Sequence, residues 1–181
     1  MAVLQQEVVL IGLKDLEFKV GTTLTKIRGA LELSIDMAGD NQLIKGDDGV
    51  IAYAAQKTYA KVSIKQAVMS LTALAALTGN TVTETGTSPN TVDTFSVTSG
   101  MVPSGTLTGQ VKFVKSITGV AGTLPGDAHI VIPVFTIDPN SLKIGVKIGN
   151  ENSVDFSGVA IPDTNGVIYQ IVFHETATNI T

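Results

Sequence analysis

Residues 57–65 read Lys57-Thr58-Tyr59-Ala60-Lys61-Val62-Ser63-Ile64-Lys65, and this stretch decides the fold class. Thr58, Ala60, Val62 and Ile64 fall on one side of an extended chain. Lys57, Tyr59, Lys61, Ser63 and Lys65 fall on the other. A period of two is the signature of a strand with one face in a core and one face outside it. A similar stretch lies upstream, where Leu31, Leu33, Ile35 and Met37 alternate with Glu32, Ser34 and Asp36. The intervening residues, 38–55, read as a long loop. Its first part holds the turn formers Gly39, Asp40, Asn41, Gly46, Asp47, Asp48 and Gly49. Its second part, Val50-Ile51-Ala52-Tyr53-Ala54-Ala55, is apolar. Two strands joined in this way predict an extended hairpin.

One segment departs from the β pattern. Ser70-Leu71-Thr72-Ala73-Leu74-Ala75-Ala76-Leu77-Thr78-Gly79 places leucines three residues apart, along one stripe of a short helix. Ser70 is placed to cap its start and Gly79 to end it in the left-handed conformation. From 80 to 90 the chain is rich in Thr, Gly and Pro and reads as a loop or a weak strand. Further strands are predicted over 94–98, 110–117, 130–137, 142–148, 154–161 and 167–173. Turns are predicted over 102–105 and 162–166, the latter joining the last two strands, and a loop over 119–126. The fold class is therefore mainly β, a sandwich or barrel with one short flanking helix, in a single domain spanning 1–181.

Composition sets the next constraint. Hydrophobic residues make up 44% of the 181 residues and charged residues only 15%, with a mean hydropathy of +0.32. Yet apolar runs such as Val8 to Leu13 and Val50 to Ala55 are far short of the roughly 20 residues a membrane helix needs. The apolar surplus is thus expected at protein–protein contacts. The net charge is −4, and Arg28 is the only arginine. A chain so equipped is not expected to hold nucleic acid by charge attraction or by bidentate base contacts. It has no cysteine, which excludes disulfides and thiolate metal sites. The N-terminal residues lack the basic and apolar regions of a signal peptide.

No catalytic or metal-binding constellation emerges. His129 and His174 are the only histidines and read as a loop-edge and a strand-end residue. There is no HxxH or HExxH spacing, no GxSxG elbow, and no P-loop or dinucleotide fingerprint. Asp47-Asp48-Gly49 lacks the spaced ligands of a calcium loop. The expectation is a protein that is not an enzyme and carries no cofactor.

Three stretches, Tyr59 to Val82 (YAKVSIKQAVMSLTALAALTGNTV), 130–149 (IVIPVFTIDPNSLKIGVKIG) and 154–175 (VDFSGVAIPDTNGVIYQIVFHE), resemble the major tail tube proteins of long-tailed bacteriophages. The resemblance runs over most of the chain, roughly Leu31 to Glu175, and 80–128 stands outside it as an elaborated segment. It implies a tail-tube-like fold, shared with the inner tubes of contractile tails and of type VI secretion. It also implies hexameric rings stacked into a hollow tube through which DNA passes without specific binding. The implied partners are further copies of the chain and other tail proteins (tape measure, terminator, baseplate). The implied location is the virion tail, after synthesis in the host cytoplasm.

Two sets of residues then become candidates. Glu32, Ser34 and Asp36, the polar face of the first strand, are expected to face the lumen, where a DNA conduit needs few cations. Asp47, Asp48, Val50, Ile51 and Tyr53, in the 38–55 loop, are expected to touch the adjacent ring, because an ordered loop must bury apolar surface to offset lost entropy. Two alternatives share the same composition: a capsid decoration or adhesin-like β-sandwich that binds a surface, and an enzyme or ligand binder built on a β-barrel.

Overall fold

The computed structural model describes residues 8–39, 41–46, 49–55, 57–68, 70–115, 125–145, 153–174 and 178–180. Its strands are β1 (Val8–Val20), β2 (Thr23–Lys26), β3 (Ala30–Ala38), β4 (Asn41–Gly46), β5 (Gly49–Ala55), β6 (Tyr59–Gln66), β7 (Thr81–Thr85), β8 (Val92–Ser96), β9 (Ser104–Lys115), β10 (Pro125–Ile137), β11 (Lys143–Gly145), β12 (Ser153–Ile161) and β13 (Gln170–His174). One helix, α1 (Leu71–Thr78), follows β6. The chain is mainly β and sandwich-like, and the sheet does not close into a barrel.

Nine strands form the main sheet. Their order is β2-β1-β9-β10-β12-β6-β3, with β11 beside β12 and β13 beside β10. The predicted alternation sets the inner face. Ala60, Val62, Ile64 and Gln66 of β6 are buried, while Lys61, Ser63 and Lys65 are exposed. β3 pairs antiparallel with β6 across the expected hairpin. The sheet folds over so that Leu33 of β3 lies on Gly109 of β9, where an added methyl group would come within 2.8 Å of it.

At the centre of the core, the rings of Phe18 (β1) and Phe135 (β10) meet edge to face at 6.0 Å. Both are fully buried. Each ring needs a glycine on a neighbouring strand. A Cβ at Gly105 would sit 2.8 Å from the Phe18 ring, and one at Gly158 would sit 2.5 Å from the Phe135 ring. Around this pair lie Leu16, Leu107, Ile132, Ile137, Phe156 and Ala160, with Leu74 and Leu77 from the helix.

The helix forms as its sequence predicts. Ser70 Oγ accepts from the Ala73 amide at 3.3 Å, and Gly79 has φ 73° with its N–H bonded to Ala75 O. Ala73, Leu74 and Leu77 point inward and are buried. Asn80 then anchors the helix exit, since its Oδ1 accepts from the Thr98 amide at 2.9 Å.

Several expectations are corrected. β1 and β2 were not legible as strands. The stretch 38–55 is not a loop: β4 and β5 pair with each other from Asn41↔Ala55 to Gly46↔Gly49, so the β3/β6 hairpin continues outward as a ribbon. The 80–128 segment contains a second ribbon, β7 with β8, followed by β9 and the start of β10. Finally, β12 and β13 are not a hairpin. β12 pairs with Val134–Ile137 of β10, and β13 pairs with Asp127–Val131 of the same strand. The two lie end to end along one edge of β10, and the 162–169 turn is an excursion between them.

Replacing Phe135 with Ala removes a buried ring and leaves a cavity, which should lower unfolding free energy by about 3–5 kcal/mol. Urea denaturation followed by circular dichroism measures this. Gly158→Ala should also destabilise, because its methyl meets the Thr136 carbonyl as well as the ring.

Candidate functional site

The outer face of β3, β6, β12 and β11 carries the first candidate set. Ladder partners project from the same face of a sheet. Glu32 stands opposite Lys65, Lys65 opposite Asp155, and Asp155 opposite Lys143. This is a row of alternating charge across four strands. One step along, Ser34, Ser63 and Ser157 form a hydroxyl row, and then Asp36, Lys61 and Val159 follow. The structure therefore brings Glu32, Ser34 and Asp36 together on one face, with Glu32 and Asp36 exposed and Ser34 half-buried. Lysines alternate with the acids on this face. Lys65 Nζ donates to Glu32 Oε2 at 2.7 Å. Its pKa is raised chiefly by that bond, then by the Glu32 charge, with the more distant Asp155 adding to it. Both side chains of the pair are more than half exposed, so the pair orients the surface more than it stabilises the fold.

The second candidate set lies in the ribbon. Val50, Ile51 and Tyr53 belong to β5, where Tyr53 pairs with Leu43 and Val50 with Lys45. Asp47 and Asp48 lie outside the described residues. The ribbon strands pair with each other and, among the described residues, with no strand of the main sheet.

An apolar strip runs along the β12–β13 line, and it includes residues of 167–173, a stretch that is apolar on both faces. Val159, Ile161, Tyr169, Ile171, Val172 and Phe173 keep 37–47% of their surface exposed. On β13, Val172 shares the face of His129, whereas Ile171 and Phe173 share the face of Ile130 and Ala128. Among the described residues, β13 pairs only with β10.

Asp163 shapes the excursion beside this strip. Its Oδ1 accepts from the amides of Val167 at 2.8 Å and Asn165 at 2.9 Å. These bonds, that from Val167 first, hold its pKa below the usual carboxylate value.

The opposite outer face, on β1, β9 and β10, is polar yet buried. Glu17, Gln110, Asp127 and His129 are each less than 10% exposed. Gln110 Nε2 donates to Asp127 Oδ2 at 2.7 Å, and the rings of His129 and His174 lie 4.5 Å apart, tilted by 53°. His129 is thus an interior strand residue, not the loop-edge residue its sequence context suggests. Glu17 meets Lys26 at 3.1 Å, and the carboxylate raises the Lys26 pKa. The partners that bury this face come from distant parts of the chain, so no local sequence signal marks it. Among the described residues, no three His, Asp or Glu side chains are grouped to hold a metal ion. No helix among them is long and apolar enough to cross a membrane.

No protein-family model matches the chain, and no match to it was found among curated proteins.

The bonds to Asp163 make a titration prediction. Its pKa is lower folded than unfolded, so its contribution is fully present above the unfolded value and is lost as pH falls through the folded one. The amide proton resonance of Val167 should titrate with a midpoint below 3.8, the ordinary aspartate value. In Asp163→Asn the titration should vanish. Two-dimensional NMR across acid pH checks both.

Proposed function

We propose that this chain is a structural, non-catalytic subunit that assembles with copies of itself into hexameric rings, stacked as the hollow tail tube of a long-tailed bacteriophage. The observation that carries the self-association is the β12–β13 strip. Apolar side chains exposed on both faces of neighbouring strands mark a surface for contact with another chain. The resemblance of 59–82 and 130–175 to tail tube proteins supplies the ring and the tube. In this reading the β4–β5 ribbon reaches the adjacent ring through Val50, Ile51 and Tyr53, and Asp47 and Asp48 are proposed to share that contact. Glu32, Ser34 and Asp36 face the lumen.

The alternating rows refine the lumen assignment. DNA slides past a wall that offers it no net cationic charge. Lys61 and Lys65 lie beside Asp36 and Glu32, so their charges are neutralised locally. The subunit's net −4 makes a six-membered ring acidic as a whole. DNA therefore transits without specific binding, and other tail proteins (tape measure, terminator, baseplate) meet the tube along its axis or at its ends.

Negative-stain electron microscopy of the concentrated protein should show hollow tubes built of six-fold rings. A chain that stays monomeric or trimeric at every concentration overturns the proposal and favours a decoration protein. The double variant Ile51→Ser with Tyr53→Ser should keep the circular dichroism of the native subunit and fail to polymerise. Tubes of normal length from that variant would remove the ribbon from the ring–ring contact. Loss of the folded subunit would place those two residues in its core.

A further inference from the structure

The buried polar face of β9 and β10 meets one short segment at a single residue. The Thr178 amide donates to Asp127 Oδ2 at 2.9 Å. Its carbonyl oxygen accepts from Gln110 Nε2 at 2.7 Å and lies 2.9 Å from His129 Nε2. Gln110 and Asp127 are 1% and 2% exposed and His129 is 8% exposed. Lys14 Nζ stands 4.0 Å from the same Asp127 oxygen. Thus both main-chain groups of Thr178 are satisfied by buried side chains, whose own polar atoms would be costly to bury without partners. Two residues on, Ile180 lines a cavity of about 420 Å³ with Lys19, Leu24, Thr106, Thr108 and Val131.

We infer that Asp127, Gln110 and His129 form a binding site for extended peptide backbone, and that its ligand is the chain's own C-terminal segment, held as a strap across β9 and β10. One acceptor oxygen and two ring or amide nitrogens give Thr178 the C=O and N–H partners that a strand's backbone finds in a ladder. The three bonds go to main-chain atoms, so the site recognises the peptide unit at position 178 through its backbone. Ile180 gives a second attachment at the cavity. The strap's hold is local to this face, so it is independent of whether the subunit builds a tube.

Hydrogen–deuterium exchange of the full-length chain, read by NMR, tests the site. In Asp127→Ala the Thr178, Asn179 and Ile180 amides should exchange at least about tenfold faster, the factor that losing one charge-assisted hydrogen bond implies. Exchange in β1, β6 and β12 should stay unchanged. Thr178→Pro removes the donor and leaves the three socket residues intact, and it should speed the Asn179 and Ile180 amides in the same way. Unchanged exchange at 179–180 in both variants overturns the inference. So does a uniform acceleration over the whole sheet in both, which would make these residues part of general fold stability and not a site for the strap.

Discussion

The edge-to-face contact of Phe18 and Phe135 sets the spacing on which the rest of the sandwich depends. The two rings come from β1 and β10, with β9 between them. Gly105 of β9 stands opposite Phe135 in the ladder and directly beneath Phe18. Gly158 of β12 gives Phe135 its floor. Large rings over bare backbone let four adjacent strands carry two aromatic side chains without forcing them apart, and edge-to-face geometry aligns the ring quadrupoles favourably. The register of β9 and β12 against β10 is thereby fixed, because a shift by one residue would put a Cβ where a ring must lie. Everything on the outer faces inherits that register: the charge row through Asp155, the strip through Val159 and Ile161, and the socket through Gln110 and Asp127.

How much of this was legible depends on how far apart in sequence the determining residues are. The alternation at 57–65 and the leucine spacing at 71–77 are local, and both elements form where they were expected. β1 escaped notice because its start is a continuous apolar run and its ladder slips twice, at Leu10/Leu13 and Leu13/Asp15. A strand with bulges has no single period. The turn at 162–166 is real, and Asp163 closes it, but a turn signal does not say which strand the chain pairs with next. Here the chain returns to the same edge of β10.

The outer faces were legible only in part. The polar side of β3 was visible in the sequence, but its lysine neighbours follow from the pairing of Glu32 with Lys65, 33 positions away. The apolar strip needs β12 and β13 placed in line, which no local pattern states. The socket joins Gln110 to Asp127 and both to Thr178, across 17, 51 and 68 positions. Gln and Thr carry no motif, and a single Asp among strands reads as surface. Only the folded ladder shows that it is buried.

The two outer faces solve one physical problem in opposite ways. A sheet with its core on one side has another side that must meet water, a partner or its own chain. On β9 and β10 the chain meets itself: the main-chain groups of Thr178 satisfy the buried Gln110 and Asp127. On β3 and β6 the face carries alternating charges that water can solvate, next to the half-buried Asp155 of β12. The apolar strip lies beside this second face, and an apolar strip rimmed by ordered charge is how a contact gains both affinity and register. Burial of such a strip favours association whatever the alignment, so the register of a contact has to come from its polar surroundings. In the proposed tube the strip would join copies of the chain, and the charged face beside it would look onto the lumen.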